Sequence, residues 1–181
     1  MILILAGLIL WSAVHLWKRL SPASRERVGD KGKAIVALGS VAAIVLMVIG
    51  YRGAEGAFYW GRSPAMTGIN NLMMLFAVYL FAVSGAKTRL TKFIRHPQLT
   101  AVKVWAVAHL LVNGDTPSFL LFGGILAWAV VEVILINRAE GPRGPYHAVP
   151  IKKEATAIIA TLVVFAVVAG VHTWLGHTPF G

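Results

Sequence analysis

Six blocks of the chain are apolar, and polar and charged residues gather in the segments between them. A helix needs about 20 residues to span the hydrocarbon core of a membrane, and about 17 is the practical minimum. The pattern therefore predicts membrane-spanning helices rather than half-buried strands or amphipathic surface helices. Their expected ranges are 1–17, 34–51, 68–86, 98–113, 118–137 and 155–175. The fourth range is the least regular, because Lys103 interrupts it.

Composition agrees with a membrane protein. The chain is 57% hydrophobic and only 13% charged, with a mean hydropathy of +0.73, whereas soluble proteins carry about 25% charged residues. The formal charge of +10 is typical of nucleic-acid binding. Here the basic residues lie in short clusters between apolar blocks, so the expected partner is the lipid bilayer and not nucleic acid. The chain has no cysteine, which excludes disulfides and thiolate metal sites.

The distribution of lysine and arginine predicts the orientation. Of 17 basic residues, 15 lie in the segments 18–33, 87–103 and 138–154, and the other two are Arg52 and Arg62. The positive-inside rule places the three basic segments in the cytoplasm. Both termini are then periplasmic, which requires an even number of spans. We expect an all-α integral membrane protein, a bundle of about six transmembrane helices forming one domain over 1–181, in the bacterial inner membrane.

Polar residues within membrane spans are costly and are candidates for function by default. Two helices repeat one pattern, in which a tryptophan, a histidine and a polar residue follow one another at four-residue intervals along one face. The repeats are Trp11–His15–Arg19 and Trp105–His109–Asn113. The other candidates are Glu132, one turn after Trp128, His172 in the last helix and Lys103 near a boundary.

Three histidines within spans indicate a cofactor. A neutral imidazole in lipid needs both ring nitrogens satisfied, and metal coordination is one way to do so. Without cysteine and with one carboxylate in a span, the donors favour haem b or a small-metal site. Alternatively, these groups satisfy one another without a cofactor, for example Glu132 with Arg19 or with a histidine, and His109 with a backbone carbonyl.

Two axial histidines must lie at similar depth. Counting along the helices places His109 and His172 in the outer halves of their spans, whereas His15 lies in the inner half. If Lys103 marks the inner boundary of the fourth span, His109 pairs more naturally with His15. The residues alone leave both pairings open.

The segment 95–128, RHPQLTAVKVWAVAHLLVNGDTPSFLLFGGILAW, resembles the NnrU family of membrane proteins. The matching positions are Arg95-His96-Pro97, Lys103, Trp105, Ala108-His109-Leu110, Asn113-Gly114, Leu121-Phe122-Gly123 and Ala127-Trp128. The segment HLWKRLSPASRER, from His15 to Arg27, is similar to the first-helix signature of that family. The ending HTWLGHTPFG is similar to its tail. The resemblance covers nearly the whole chain.

The resemblance implies a function near denitrification, because NnrU proteins are needed for nitrite and nitric oxide reductase to be produced. The same family includes zeta-carotene isomerase, a haem b enzyme that isomerises a cis double bond in a polyene. Haem ligation by a histidine within the membrane is the shared feature, and the resemblance assigns it to His109 and His15. Depth counting along the helices gives His172 as the alternative partner of His109.

Three hypotheses follow. The first is an accessory protein that binds haem b and acts with membrane-embedded partners of nitrogen-oxide respiration. The second is a haem-dependent isomerase of a carotenoid-like polyene. The third is an assembly protein without a cofactor. Whether the protein is an enzyme stays open.

Arg95-His96-Pro97 allows two interpretations. It is distantly similar to membrane methyltransferases of the isoprenylcysteine carboxyl type, in which Arg-His-Pro followed by tyrosine helps to hold S-adenosylmethionine. Gln98 and Leu99 follow here instead, so methyl transfer is not expected. The tripeptide also predicts a helix start, since proline suits the first turn, and this places His96 at the cytoplasmic boundary.

Overall fold

The computed structural model describes residues 1–144 and 149–180 of the chain. In this range the helices are α1 (Ile2–Leu20), α2 (Pro22–Val28), α3 (Lys31–Arg52), α4 (Pro64–Ala86), α5 (Pro97–Val112), α6 (Thr116–Glu140) and α7 (Lys152–Trp174). A 3₁₀ helix spans Arg89–Lys92, and the strands β1 (Phe58–Trp60) and β2 (Gly114–Asp115) form a two-stranded sheet.

All six predicted apolar segments are helices. Five of them, α1, α3, α4, α6 and α7, have 19 to 25 residues and are long and apolar enough to cross a membrane. The sixth, α5, is apolar but has only 16 residues. By the length and composition of its helices, the chain is a helical membrane protein.

The helix boundaries differ from the predicted ones mainly because the helices continue past the apolar blocks. α1 extends to Leu20 and includes Lys18 and Arg19, and α6 extends to Glu140. The short helix α2 and the two strands lie in segments predicted to be loops. Proline stands in the first turn of α2, α4, α5 and α6, where its missing N–H costs no helical hydrogen bond. Of the segment 138–154, residues 145–148 lie outside the described part.

The chain divides into two compact units. Unit 1 comprises residues 1–59 and 114–141, and unit 2 comprises 60–113 and 142–181. A single domain over 1–181 stays a prediction.

In unit 1, α1 packs against α3 through small residues. A Cβ added at Gly7 would lie 2.8 Å from the carbonyl oxygen of Ala43, and one at Gly50 would lie 2.7 Å from the backbone nitrogen of Ile4. Only glycine permits so close an approach of two backbones. Close packing of this kind holds helices together in a membrane, where the hydrophobic effect does not favour their association. Because Gly7 faces Ala43 while Ile4 faces Gly50, the two helices are antiparallel.

Helix α1 also packs against α6, and here the two helices are parallel. Their contacts advance in the same direction along both chains, from Leu8 and Gly124 through Trp11 and Trp128 to Arg19 and Glu140. The first turn of α6 is fixed at Ser118, whose backbone N–H donates to the Asp115 carboxylate at 2.7 Å. The Ser118 hydroxyl also lies 2.8 Å from that of Tyr51 at the end of α3.

In unit 2, α4 packs against α5 and α7. The buried Asn70 amide donates to the carbonyl of Ala108 at 2.7 Å, and Asn71 donates to the carbonyl of Pro179 at 3.0 Å. The start of α4 therefore lies beside the ends of α5 and α7, and α4 is antiparallel to both.

Candidate functional site

We call Trp11, His15, Trp128 and Glu132 of unit 1 the tryptophan–histidine cluster. Ring contacts join the first three, and Glu132 follows Trp128 by one turn of α6. The His15 ring stacks on Trp11 with centroids 4.0 Å apart, and Trp128 meets it edge-on at 5.1 Å. The two indoles lie 5.3 Å apart, also edge-on. The four-residue spacing places Trp11 and His15 on the same face of α1, and the packing of α6 against that face brings Trp128 into contact with both rings.

A backbone hydrogen bond fixes the His15 ring. The ring nitrogen Nδ1 lies 2.8 Å from the carbonyl oxygen of Trp11. A carbonyl only accepts, so Nδ1 carries the proton, and in the neutral ring Nε2 then carries the lone pair. This is the tautomer in which a neutral imidazole binds a metal, with its other nitrogen held by an acceptor.

The cluster contains three buried polar atoms without a hydrogen-bond partner in the described part of the chain. They are Nε1 of Trp11, Nε1 of Trp128 and Oε2 of Glu132. Arg19 acts on Glu132 electrostatically, but its ion pair is with Glu140, at 2.8 Å. A buried polar group without a partner costs free energy, so these three atoms are candidates for contact with a bound group.

Unit 2 repeats the same local construction around His109. Nδ1 of His109 donates to the carbonyl of Trp105 at 2.9 Å, and the two ring centroids are 4.8 Å apart. The Asn113 amide donates to the carbonyl of His109 at 2.8 Å and ends α5. Nε2 of His109 therefore carries the lone pair, as in His15.

His172 belongs to the same unit as His109. Its Nδ1 donates to the carbonyl of Val168 at 2.8 Å, and its side chain is exposed. Both His172 and Arg62 lie close enough to His109 to act on it electrostatically. We call His109 and His172 the unit 2 histidine pair.

Arg62 was absent from the sequence-based candidates. It is one of only two basic residues in segment 52–67, whereas the other 15 lie in the three basic segments, and this exception to the charge pattern is the signal that could have identified it.

The remaining candidates lie apart from these histidines. His96 immediately precedes α5, and its carbonyl accepts from the backbone and the hydroxyl of Thr100, each at 2.9 Å. Lys103 is half-buried in α5, six residues before His109, which is about 9 Å along a helix.

The donors fit haem better than a small metal ion. Among the described residues, no group of three or more histidine, aspartate or glutamate side chains lies close enough to hold a metal ion. Haem needs only one or two axial imidazoles, because its four pyrrole nitrogens supply the other bonds to iron. The unit 2 histidine pair would supply two such imidazoles, and Arg62 would supply a cation for a propionate.

The comparison with known families covers almost the whole chain. The model of the family described as NnrU protein matches residues 3–179, which includes both units and every histidine discussed above. No curated protein and no solved structure matches the chain. Because the match extends over nearly all of its 181 residues, the chain belongs to the NnrU family.

Proposed function

We propose that this protein binds haem b within the membrane and is an accessory protein of nitrogen-oxide respiration. The observation that carries the proposal is the hydrogen bond from Nδ1 of each membrane histidine to the carbonyl four residues earlier. In the neutral ring this bond leaves the lone pair on Nε2, which is the form that ligates iron. Family membership supports the respiratory role.

The unit 2 histidine pair would hold the iron, with Arg62 beside a propionate. His172 and Arg62 both lie within electrostatic range of His109, so the three side chains share one region of unit 2. Bound haem would supply a redox-active iron that binds diatomic gases where an axial position is open. His15 is the partner that the family resemblance favours. Its ring is packed between Trp11 and Trp128 in unit 1.

The proposal includes six spans with both termini periplasmic, in the inner membrane. Each membrane crossing reverses the direction of the chain. Two parallel spans must therefore have an odd number of spans between them in the sequence. Helices α1 and α6 are parallel, and α3, α4 and α5 lie between them. This supports α5 as a crossing helix, although its 16 residues extend only about 24 Å.

A haem-dependent polyene isomerase is the alternative, and one observation favours it. An open apolar groove of about 310 Å³ lies between α4 and α7 in unit 2, lined by Phe76, Tyr79, Ile158 and Leu162 among others. Leu162 precedes His172 by ten residues, about 15 Å along α7. Only a long apolar substrate would occupy the groove and also reach the histidine pair.

The respiratory role is tested by deleting the gene in the organism that encodes the chain and measuring nitrite and nitric oxide consumption. We expect both rates to fall and to be restored by the wild-type chain and by His96→Ala, but not by His109→Ala. Immunoblotting of membranes verifies that the two variants accumulate equally. Unchanged rates in the deletion strain would refute the respiratory role, and loss of a carotenoid-like product instead would favour the isomerase. If His109→Ala restores the rates, a haem at His109 is not needed and the assembly protein without a cofactor takes its place.

A further inference from the structure

A basic pocket lies in unit 1, where the apolar part of α1 ends. It has a volume of about 450 Å³ and is lined by Lys18, Arg19, Pro22, Arg25, Glu26 and Ala139. These residues come from the end of α1, from α2 and from the end of α6. The pocket thus opens at the level where the chain changes from apolar to charged, which is the headgroup level of a bilayer.

The charges in the pocket are not balanced. Arg19 is paired with Glu140 at 2.8 Å, but in residues 1–144 and 149–180 neither Lys18 nor Arg25 forms an ion pair. Glu26 supplies one negative charge against these two cations. One positive charge is left over, which a singly charged anion would neutralise.

The Arg25 side chain is held in place before any ligand arrives. Its Nη1 donates to the carbonyl of Gly29 at 2.8 Å, and its guanidinium lies 5.7 Å from the centroid of the Trp17 ring. The guanidinium also lies against Gly32, where a Cβ would overlap it. Trp17 is in turn fixed by donating to the Ser24 hydroxyl at 2.5 Å. A fixed arginine loses little entropy on binding and suits the oxygens of a phosphate.

We propose that this pocket binds the headgroup of an anionic phospholipid of the phosphatidylglycerol type. The phosphodiester carries the single negative charge that the pocket lacks, and it would lie between Lys18 and Arg25. A glycerol hydroxyl of the headgroup would donate to Glu26. Basic pockets between membrane helices bind anionic headgroups in this way. A zwitterionic phospholipid would leave the extra positive charge unneutralised.

Native mass spectrometry of the full-length protein in detergent tests the proposal. Phosphatidylglycerol and phosphatidylethanolamine with identical acyl chains are added, and the bound fractions are compared. We expect the wild type to prefer phosphatidylglycerol, and Lys18→Gln with Arg25→Gln to weaken its binding about 25-fold, at about fivefold per basic residue. Lys18→Gln alone, which keeps the Arg25 contacts, should weaken it about fivefold.

The control is Arg27→Gln with Lys31→Gln, which removes the same charge from exposed positions nearby that do not line the pocket. It should leave the preference unchanged. An equal loss in both double variants would mean diffuse attraction to a basic surface, and equal binding of the two lipids would mean no headgroup selectivity; either result overturns the proposal. Displacement of the lipid by excess inorganic phosphate would show a site for the free anion instead.

Discussion

Arg19 forms its ion pair with Glu140, with Nη2 of the guanidinium 2.8 Å from the carboxylate oxygen Oε1. Glu132, two turns earlier in α6, is instead buried, and its Oε2 has no hydrogen-bond partner in the described part of the chain. The exposed carboxylate of Glu140 therefore binds the arginine, whereas that of Glu132, in the same helix, is buried. The two glutamates of one helix thus have different roles.

Glu132→Gln should be milder than Glu132→Ala. Glutamine keeps the shape and one acceptor oxygen of the side chain, whereas alanine leaves a cavity and costs about 2 kcal/mol of unfolding free energy. Thermal unfolding of the detergent-solubilised protein, followed by tryptophan fluorescence, measures both. Glu140→Gln is the control and should cost no more than about 1 kcal/mol, since Glu140 is 48% exposed. An equal loss of unfolding free energy in the glutamine and alanine variants of Glu132 would show that the negative charge of the side chain is what stabilises the protein.

Gly7→Ala should destabilise unit 1. The added Cβ would lie 2.8 Å from the carbonyl oxygen of Ala43, so α1 and α3 must separate, at a cost of about 1–3 kcal/mol. Gly170→Ala in α7 is the matched control, because a Cβ there meets no atom within 4 Å. It should be neutral or stabilising by up to about 1 kcal/mol, since alanine favours helix. Thermal unfolding temperatures that fall equally in the two variants would contradict the close α1–α3 contact.

A reporter fused after Gly181 should be active only if it is one that works in the periplasm. The reason is that 15 of the 17 basic residues lie in the three segments assigned to the cytoplasm. A second fusion within 18–33 should be active only as a cytoplasmic reporter. Cytoplasmic activity after Gly181 would mean an odd number of spans, and the 16-residue α5 would then not cross.

The helices were predictable because each apolar block must satisfy its backbone internally in lipid, which leaves helix as the local solution. The Trp11–His15–Arg19 face was also predictable, because residues four apart in a helix lie on the same side. The sequence does not reveal which helices are neighbours. The contacts of Trp128 with His15 and of Arg19 with Glu140 depend on the parallel packing of α1 and α6, and α2 is too short for a hydropathy signal.

Single histidine substitutions should identify the haem ligands. We expect His109→Ala and His172→Ala each to abolish a bis-histidine spectrum, because these two side chains share unit 2 and interact electrostatically. His15→Ala and His96→Ala should keep it. Reduced-minus-oxidised spectra of the four purified variants, at equal protein concentration, measure the effect. A spectrum lost with His15→Ala and kept with His172→Ala would assign the second ligand to His15, as the family resemblance favours.

The most direct measurement is the absorption spectrum of the wild-type protein, purified in detergent from cells grown with ample haem, first oxidised and then reduced with dithionite. The proposal predicts a Soret band that shifts on reduction, together with the sharp visible bands of haem b with two histidine ligands. A colourless protein would contradict it, and the histidines of both units would then be internal hydrogen-bond partners in a protein without a cofactor.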